Sequence, residues 1–258
     1  MTLPLQSTAT MIAVGTGALL WIAEGILPFF RVRSSRGRHA FVNLGLAATN
    51  LLIILPADIA TAAILEQTGA TFSGLRGYLP DGTPGTIAML LLLDLWLYLW
   101  HRMNHEIPIF WRFHAVHHSD AELDVTSAWR FHPGEILLSE LVRLPFLVLT
   151  GAGIRELIIY NLLMNPVIQF HHSNVRLPER YDRILRTVIP TPLLHRLHHS
   201  TIRSEHDNNY GALLSIWDRL LGTLLIGPVE PTKALGLEGT SGPDWQKWST
   251  LIQKPFRG

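Results

Sequence analysis

The sequence predicts an all-α integral membrane protein of about three spanning helices and a helical hairpin, capped by a cytoplasmic helical region that carries clusters of histidine. Three observations predict it. The 258-residue chain is 48% hydrophobic with a mean hydropathy of +0.23, too apolar for an ordinary soluble domain. Its apolar residues fall into runs long enough to cross a bilayer of roughly 30 Å. Thirteen histidines are present and no cysteine, so disulfides, thiolate chemistry and Cys-type metal sites are excluded, and any metal must be held by nitrogen or oxygen.

The first run, MIAVGTGALLWIAEGILPFF at 11–30, carries one acidic group, Glu24. Its leader has no positive charge and no small-residue cleavage pattern follows, so a spanning helix is expected rather than a signal peptide. Arg31, Arg33, Arg36 and Arg38 come next, which by the positive-inside rule places this loop in the cytoplasm and the N-terminus outside. A second run, 41–65, returns the chain outward. After a loop containing Gly and Pro, the third, from Thr86 through HRMNH, brings it back in with its histidines on the cytoplasmic side.

Two shorter apolar segments, about 136–150 and 154–170, flank the break Gly151-Ala152-Gly153. Fifteen residues reach only about 22 Å, so a hairpin that dips in and returns is expected, bringing His171 and His172 to the same face. Residues 173–227 read as soluble or interfacial helices, and the remainder as a polar tail. The expected divisions are 1–85 (N-terminal transmembrane hairpin and outer loop), 86–227 (catalytic domain) and 228–258 (tail).

The chemistry is concentrated in His101-x-x-x-His105, His114-x-x-His117-His118 and His195-x-x-His198-His199. Spacings of three and four place side chains on one helix face. Eight imidazoles exceed what a closed four-coordinate site needs and suit two metals with open positions; His172 offers a ninth. Repeated H-x-x-H-H blocks have no packing rationale. By contrast His39, beside the arginines, is expected to be an interfacial or capping residue, and His132 in RFHPGE a cap or a further donor. HPGE is similar to the haem-binding turn of cytochrome b5, but no separate domain surrounds it to hold a haem.

HRMNH, HAVHH, LHRLHH, the downstream NNYG and WDRLLGT resemble the fatty acid hydroxylase superfamily, which includes sterol desaturases and sphingolipid hydroxylases, over about 94–223. The resemblance implies an integral membrane, non-haem di-iron oxygenase. It implies metal ligation by His101, His105, His114, His117, His118, His172, His195, His198 and His199, with two iron ions as cofactor and zinc possible in purified protein. Asn209, Tyr210, Gly211, Trp217 and Asp218 match family positions read as supporting the ligands.

Ligating imidazoles need their other N–H oriented, usually by a carboxylate or carbonyl. Asp94, Asp120, Asp207 and Asp218 are the expected partners, and Asp94 and Asp218 are assigned to the catalytic site. Asp94 sits inside an apolar helix, where a carboxylate is costly, on one stripe with Tyr98, His101 and His105 that is expected to face the metals. Its alternative is a polar contact between helices. With no nucleotide loop, flavin or b5 domain, electrons must come from a separate donor of reductase, cytochrome b5 or ferredoxin type. Arg102, Arg112, Arg130, Arg196 and Arg203 are expected either to dock that donor or lipid headgroups, or to follow the positive-inside rule. The substrate is expected to be a fatty acyl, sphingolipid or sterol-like lipid, and no nucleic acid is expected to bind. The competing readings are a membrane zinc hydrolase, although H-E-x-x-H is absent, and a metal transporter, whose ligands belong near the midplane rather than beyond helix ends.

Overall fold

The computed structural model describes residues 2–31, 35–69, 71–240 and 242–256; Arg33 lies outside them. Helices make up the architecture, and the described residues contain no strand, only two isolated bridges. Three helices are long and apolar enough to cross a membrane: α1 (Thr2–Ile26), α2 (Arg36–Gly69) and α3 (Thr83–Glu106). Large apolar side chains such as Met11, Leu19 and Ile22 on α1 and Leu52 and Ile59 on α2 are exposed, as a lipid-facing surface requires.

Helix α1 stops earlier than its apolar run, because Pro28 and the residues after it leave the helix to pair with the segment behind the hairpin. Pro28 bridges to Val175, and Phe29 N–H donates to Asn174 C=O at 2.7 Å. Helix α2 exceeds its expected 25 residues at both ends, since nothing in RGRHA breaks a helix and Arg36 reaches back to Glu24 at 3.1 Å. Pro108 divides the long histidine stretch in two. The residue before a proline is disfavoured in helical conformation, so α3 ends at Glu106 and a separate α4 (Pro108–His118) turns back upon it.

The hairpin arms are α5 (Pro133–Thr150) and α6 (Ile154–His172). Gly151, left-handed at φ 70°, closes α5. A Cβ there would stand 2.0 Å from Ser73 C=O, so the hairpin tip is clasped backbone to backbone by the outer loop. The arms do not zip together: α5 packs chiefly on α2, and α6 on α1 and α3. On α5, Arg143 sits between Glu140 and Asp58.

Beyond α6 the chain forms short helices, α7 (Glu179–Leu185), α8 (Pro192–His198), α9 (Arg203–His206) and α10 (Ile216–Leu220). The polar tail folds back rather than trailing away. Its α11 (Trp248–Gln253) packs against α2 with Leu251 fully buried, and the Ile252 carbonyl accepts from His132 Nε2. The C-terminal ends of α1, α3 and α6 and the N-terminal end of α2 thus share one end of the molecule, the end that holds the histidines.

Candidate metal centre

Four helix C-termini converge there. Helix α3 brings His101 and His105 in its last turns, α4 brings His114, His117 and His118, α6 ends on His172, and α8 supplies His195 and His198 with His199 as its cap. The unpaired carbonyls at a helix C-terminus favour a nearby cation. All nine are buried except His101, which is half-buried.

They sort into two groups in which the ligand atoms lie within 4.8 Å of one another: His101, His105, His114, His118 and His198 in one, His117, His172, His195 and His199 in the other. Each H-x-x-H-H block straddles both. In α4 the i,i+4 pair His114 and His118 serves the first group and His117 the second; in the α8 block His198 serves the first and the i,i+4 pair His195 and His199 the second. At the junction His118 stacks on His199 with ring centroids 4.5 Å apart.

The outer nitrogens of six of the nine are held by acceptors, while Nδ1 of His118, His195 and His199 has no hydrogen-bond partner. Nδ1 of His101 faces the Tyr210 carbonyl at 2.9 Å, His105 the Asp207 carboxylate at 3.2 Å, His114 that of Glu135 at 2.8 Å, His117 the Arg130 carbonyl at 3.3 Å, His172 the Ile168 carbonyl at 2.8 Å, and His198 the Asn208 carbonyl at 2.7 Å. An acceptor at Nδ1 fixes the proton there and leaves Nε2 as a lone pair. The inner Nε2 atoms face each other: His198 and His101 at 3.0 Å, His195 and His172 at 2.9 Å, His172 and His117 at 3.2 Å. Nε2 of His105, His114, His118 and His199 has no hydrogen-bond partner at all. Burial, reinforced by neighbouring imidazoles, holds His117, His118, His195, His198 and His199 well below the usual histidine range, so they are neutral and able to donate to a cation. Buried polar atoms left without partners are costly, and converging neutral imidazoles suit iron or zinc. The residues present fit two metal ions.

The motif NNYG acquires a physical reason. Asn209 is left-handed (φ 59°), its amide anchored on the Leu194 and Leu225 carbonyls, and this turn presents the carbonyls on either side of it, Asn208 and Tyr210, to His198 and His101. Asp218 secures the same turn by accepting from the backbone N–H of Tyr210 and Gly211 at 2.8 and 2.9 Å. Burial raises its carboxyl to about 6 against those bonds. Asp218 therefore reaches His101 only through the turn.

Of the other expected carboxylates, only Asp207 meets one of the nine grouped histidines. Asp94 departs from the expectation that it faces the metals. It accepts from Tyr160 Oη, Trp217 Nε1 and the N–H groups of Leu213 and Leu214, a four-donor clasp that joins α3 to α6 and to the 213–217 segment. Asp120 binds not a ligand but His39, whose Nε2 it meets at 2.8 Å while Asp124 meets Nδ1 at 2.8 Å. His39 is thus a buried ion-paired residue rather than an interfacial one. Glu135 was not anticipated: it is 21 residues from His114, and a first-turn acidic group on α5 has the ordinary meaning of a helix-dipole partner. Arg130 and Arg196 are buried, donating to carbonyls and side chains within the fold, so neither docks a partner. Arg102 and Arg203 pair with Glu106 and Asp207, and Arg112 is exposed. His132 caps α5, accepting from Gly134 N–H. His171 stacks on His195 at 4.1 Å, and His206 stacks on Trp111 beside Asp207.

The sequence profile of the fatty acid hydroxylase family matches residues 86–223. The chain belongs to the fatty acid hydroxylase family. Every one of the nine grouped histidines lies inside the family region, whereas Glu24 and His39 lie outside it. The chain is similar to ornithine lipid hydroxylase OlsE of Rhizobium tropici, 30% identical over 240 residues covering 89% of this chain and 70% of that one. It is also similar to alkylglycerol monooxygenase of Homo sapiens, 31% identical over 147 residues covering 56% and 32%. Cholesterol 25-hydroxylase of Rattus norvegicus is 26% identical over 156 residues, covering 58% and 49%. The chain thus spans less than half the length of the last two. No solved structure matches it.

Proposed function

We propose that this protein is a membrane-bound di-iron oxygenase that hydroxylates or desaturates a lipid, using O2 and electrons from a separate donor, with its active site on the cytoplasmic face. The observation that carries the reading is the pair of adjoining imidazole groups whose inner nitrogens converge on one another or on nothing. The family, and relatives named as lipid hydroxylases and a monooxygenase, supply the substrate class.

His101, His105, His114, His118 and His198 would hold one iron and His117, His172, His195 and His199 the other; the pair would supply O2 activation and cleavage of an aliphatic C–H bond. The chain's own part is to hold these imidazoles in one tautomer. The 208–211 turn, Glu135 and Asp207 fix the Nδ1 protons of His101, His198, His114 and His105 in the first group; the carbonyls of Arg130 and Ile168 do so for His117 and His172. Burial of the rings keeps water from the reacting carbon. Glu135 and Asp207 sit behind the imidazoles rather than among their inner nitrogens, which disfavours hydrolysis with a carboxylate base. The ligands also lie at helix ends, away from the midplane position of a transport site.

Protein in membranes, supplied with iron and an external reductant, is expected to place labelled oxygen from O2 into a lipid product, or to remove two hydrogens from it in an O2-dependent way. Turnover that continues without O2 and ignores reductant would defeat the reading. For sidedness, single cysteines at Gly82 and Ser204 are expected to react with an impermeant reagent from opposite faces, and reaction from one face would overturn the topology.

A further inference from the structure

On α7 and the turn behind it, Tyr181, Ile184, Leu185 and Val188 recur at the i, i+3, i+4, i+7 spacing of one helix face, and all four are exposed, Ile184 at 68%. A surface helix ordinarily turns such a stripe to the core. Here Asp182 and Arg186 are turned inward, ion-paired to each other, and the apolar stripe faces out. On α10, Ile216, Leu220 and Leu221 are exposed as well, Leu220 at 67%. The two helices form one surface, because Ser215 N–H donates to the Val188 carbonyl at 3.0 Å, and Ser215 Oγ and Arg219 both donate to that of Arg186. A contiguous apolar patch of this kind marks a contact with another body.

Depth and charge say what that body is. Leu213 and Leu214 N–H and Trp217 Nε1, the residues that lead into and begin α10, donate to Asp94. Asp94 stands near the middle of α3, two turns from His101 on the side away from the histidine end, a rise of about 10 Å. Helix α10 is therefore fastened alongside a spanning helix, at a level that the bilayer around α3 occupies and a water-soluble partner does not reach. Around the stripe Arg176, Arg180, Arg183 and Arg219 are exposed, and the one exposed carboxylate within residues 176–188 and 216–221 is Glu179, shared by Arg183 and Arg186. Arg180 lies over the Tyr181 ring and donates to its hydroxyl at 2.9 Å, an amphipathic pair suited to headgroup level. We infer that α7 and α10 are embedded in the membrane leaflet on the histidine side, their apolar stripe among acyl chains and their arginines on anionic phosphate headgroups. The inference rests on α1, α2 and α3 crossing the bilayer and is independent of the oxygenase reading.

The chain has no cysteine, so single cysteines can carry a nitroxide label at Ile184 or Leu220, with Leu52 and Ser204, both exposed, as lipid-facing and water-facing references. The full chain is placed in vesicles of phosphatidylcholine and phosphatidylglycerol, and collision of each label with O2, which concentrates in lipid, is compared with collision with a water-soluble nickel chelate. Labels at Ile184 and Leu220 are expected to follow Leu52 and favour O2, and the label at Ser204 to favour nickel. Omitting phosphatidylglycerol is expected to lower the O2-to-nickel ratio at Ile184 about twofold, and Arg180→Gln with Arg183→Gln to abolish that dependence. Labels at Ile184 and Leu220 that favour nickel while Leu52 reports lipid would overturn the inference alone. So would labels shielded from both reagents, which assign the surface to a second copy of this chain. Nickel contact at Leu52 would overturn the spanning reading and the inference with it. A ratio at Ile184 that ignores phosphatidylglycerol would overturn the headgroup contact.

Discussion

Two buried polar clusters lie side by side at one end of this molecule and are built on opposite rules. Around His39 every ring nitrogen is matched: Asp120 and Asp124 flank the imidazole at 2.8 Å on each side, Asn43 bonds Thr126, and Arg130 donates to Asn43 and Ser119. Both nitrogens of His39 face carboxylates, so both donate and the ring is an imidazolium. Among the nine grouped histidines six have the outer nitrogen matched and His118, His195 and His199 do not, while the inner nitrogens confront one another or nothing. Burial alone therefore does not mark a candidate ligand; what marks it is an inner nitrogen that meets only another imidazole or nothing. The first cluster is finished without a cation and the second is not.

The sharpest break of this contrast is to delete one imidazole from each. His118→Ala is expected to lose metal from the first group and to lower lipid turnover by at least about 100-fold, because it removes a ligand rather than a supporting contact. His39→Ala is expected to keep its metal per folded molecule but to cost about 3–5 kcal/mol of stability, since Asp120 is left as a buried charge without its principal partner. Metal analysis alongside denaturation of both proteins decides it, and equal metal loss in the two would dissolve the distinction.

A smaller effect sharpens the boundary between a ligand and its support. Glu135→Gln and Asp207→Asn keep the shape but weaken the grip on Nδ1 of His114 and His105. Metal affinity is expected to fall about 10- to 100-fold in each, whereas Asp94→Asn, in a clasp that touches no ligand imidazole, is expected to leave affinity within a few-fold. Competition with a chelator measures all three.

The mildest probe is pH. The lowered pKa values of His117, His118, His195, His198 and His199 mean that below the unfolded value of about 6.5 the unfolded chain binds more protons than the folded one. The contribution of these five histidines to the stability of the metal-free protein is thus full above about pH 6.5 and falls as pH drops below it, by about 1.4 kcal/mol per pH unit for each excess proton, an effect that the one carboxyl of Asp218, raised by burial, opposes but does not match. Asp120, held below the usual carboxylate range by His39 and Arg130 against its burial, is still ionised there, so the His39 cluster adds no loss above about pH 4. Metal should be released over the same acid window, because protons compete for the ligands. Thermal melts of apo and loaded protein between pH 7 and 5 test this; an apo melting point flat across that range would contradict the neutral cluster.

Hydropathy and histidine spacing determined much of this protein on their own, because both are local properties of the chain. Apolar runs of bilayer length have to be helices, since no water is available to satisfy an open backbone. Blocks of H-x-x-H-H on a helix have to present imidazoles together, and all nine expected histidines do enter the two groups. The hairpin turn at Gly151 was also legible, as glycine acts on its own neighbourhood. What only the tertiary structure decided is which partner each polar group meets across distant segments. Asp94 and Asp120 lay near the histidines in the helical pattern, yet one clasps Tyr160 and Trp217 and the other His39, 81 residues away. Glu135 reached His114, and the tail reached α2, by folds that no periodicity encodes. Each H-x-x-H-H block had to be divided between two sites by the packing of four helix ends, because a helix sets the direction of a side chain but not what waits opposite it.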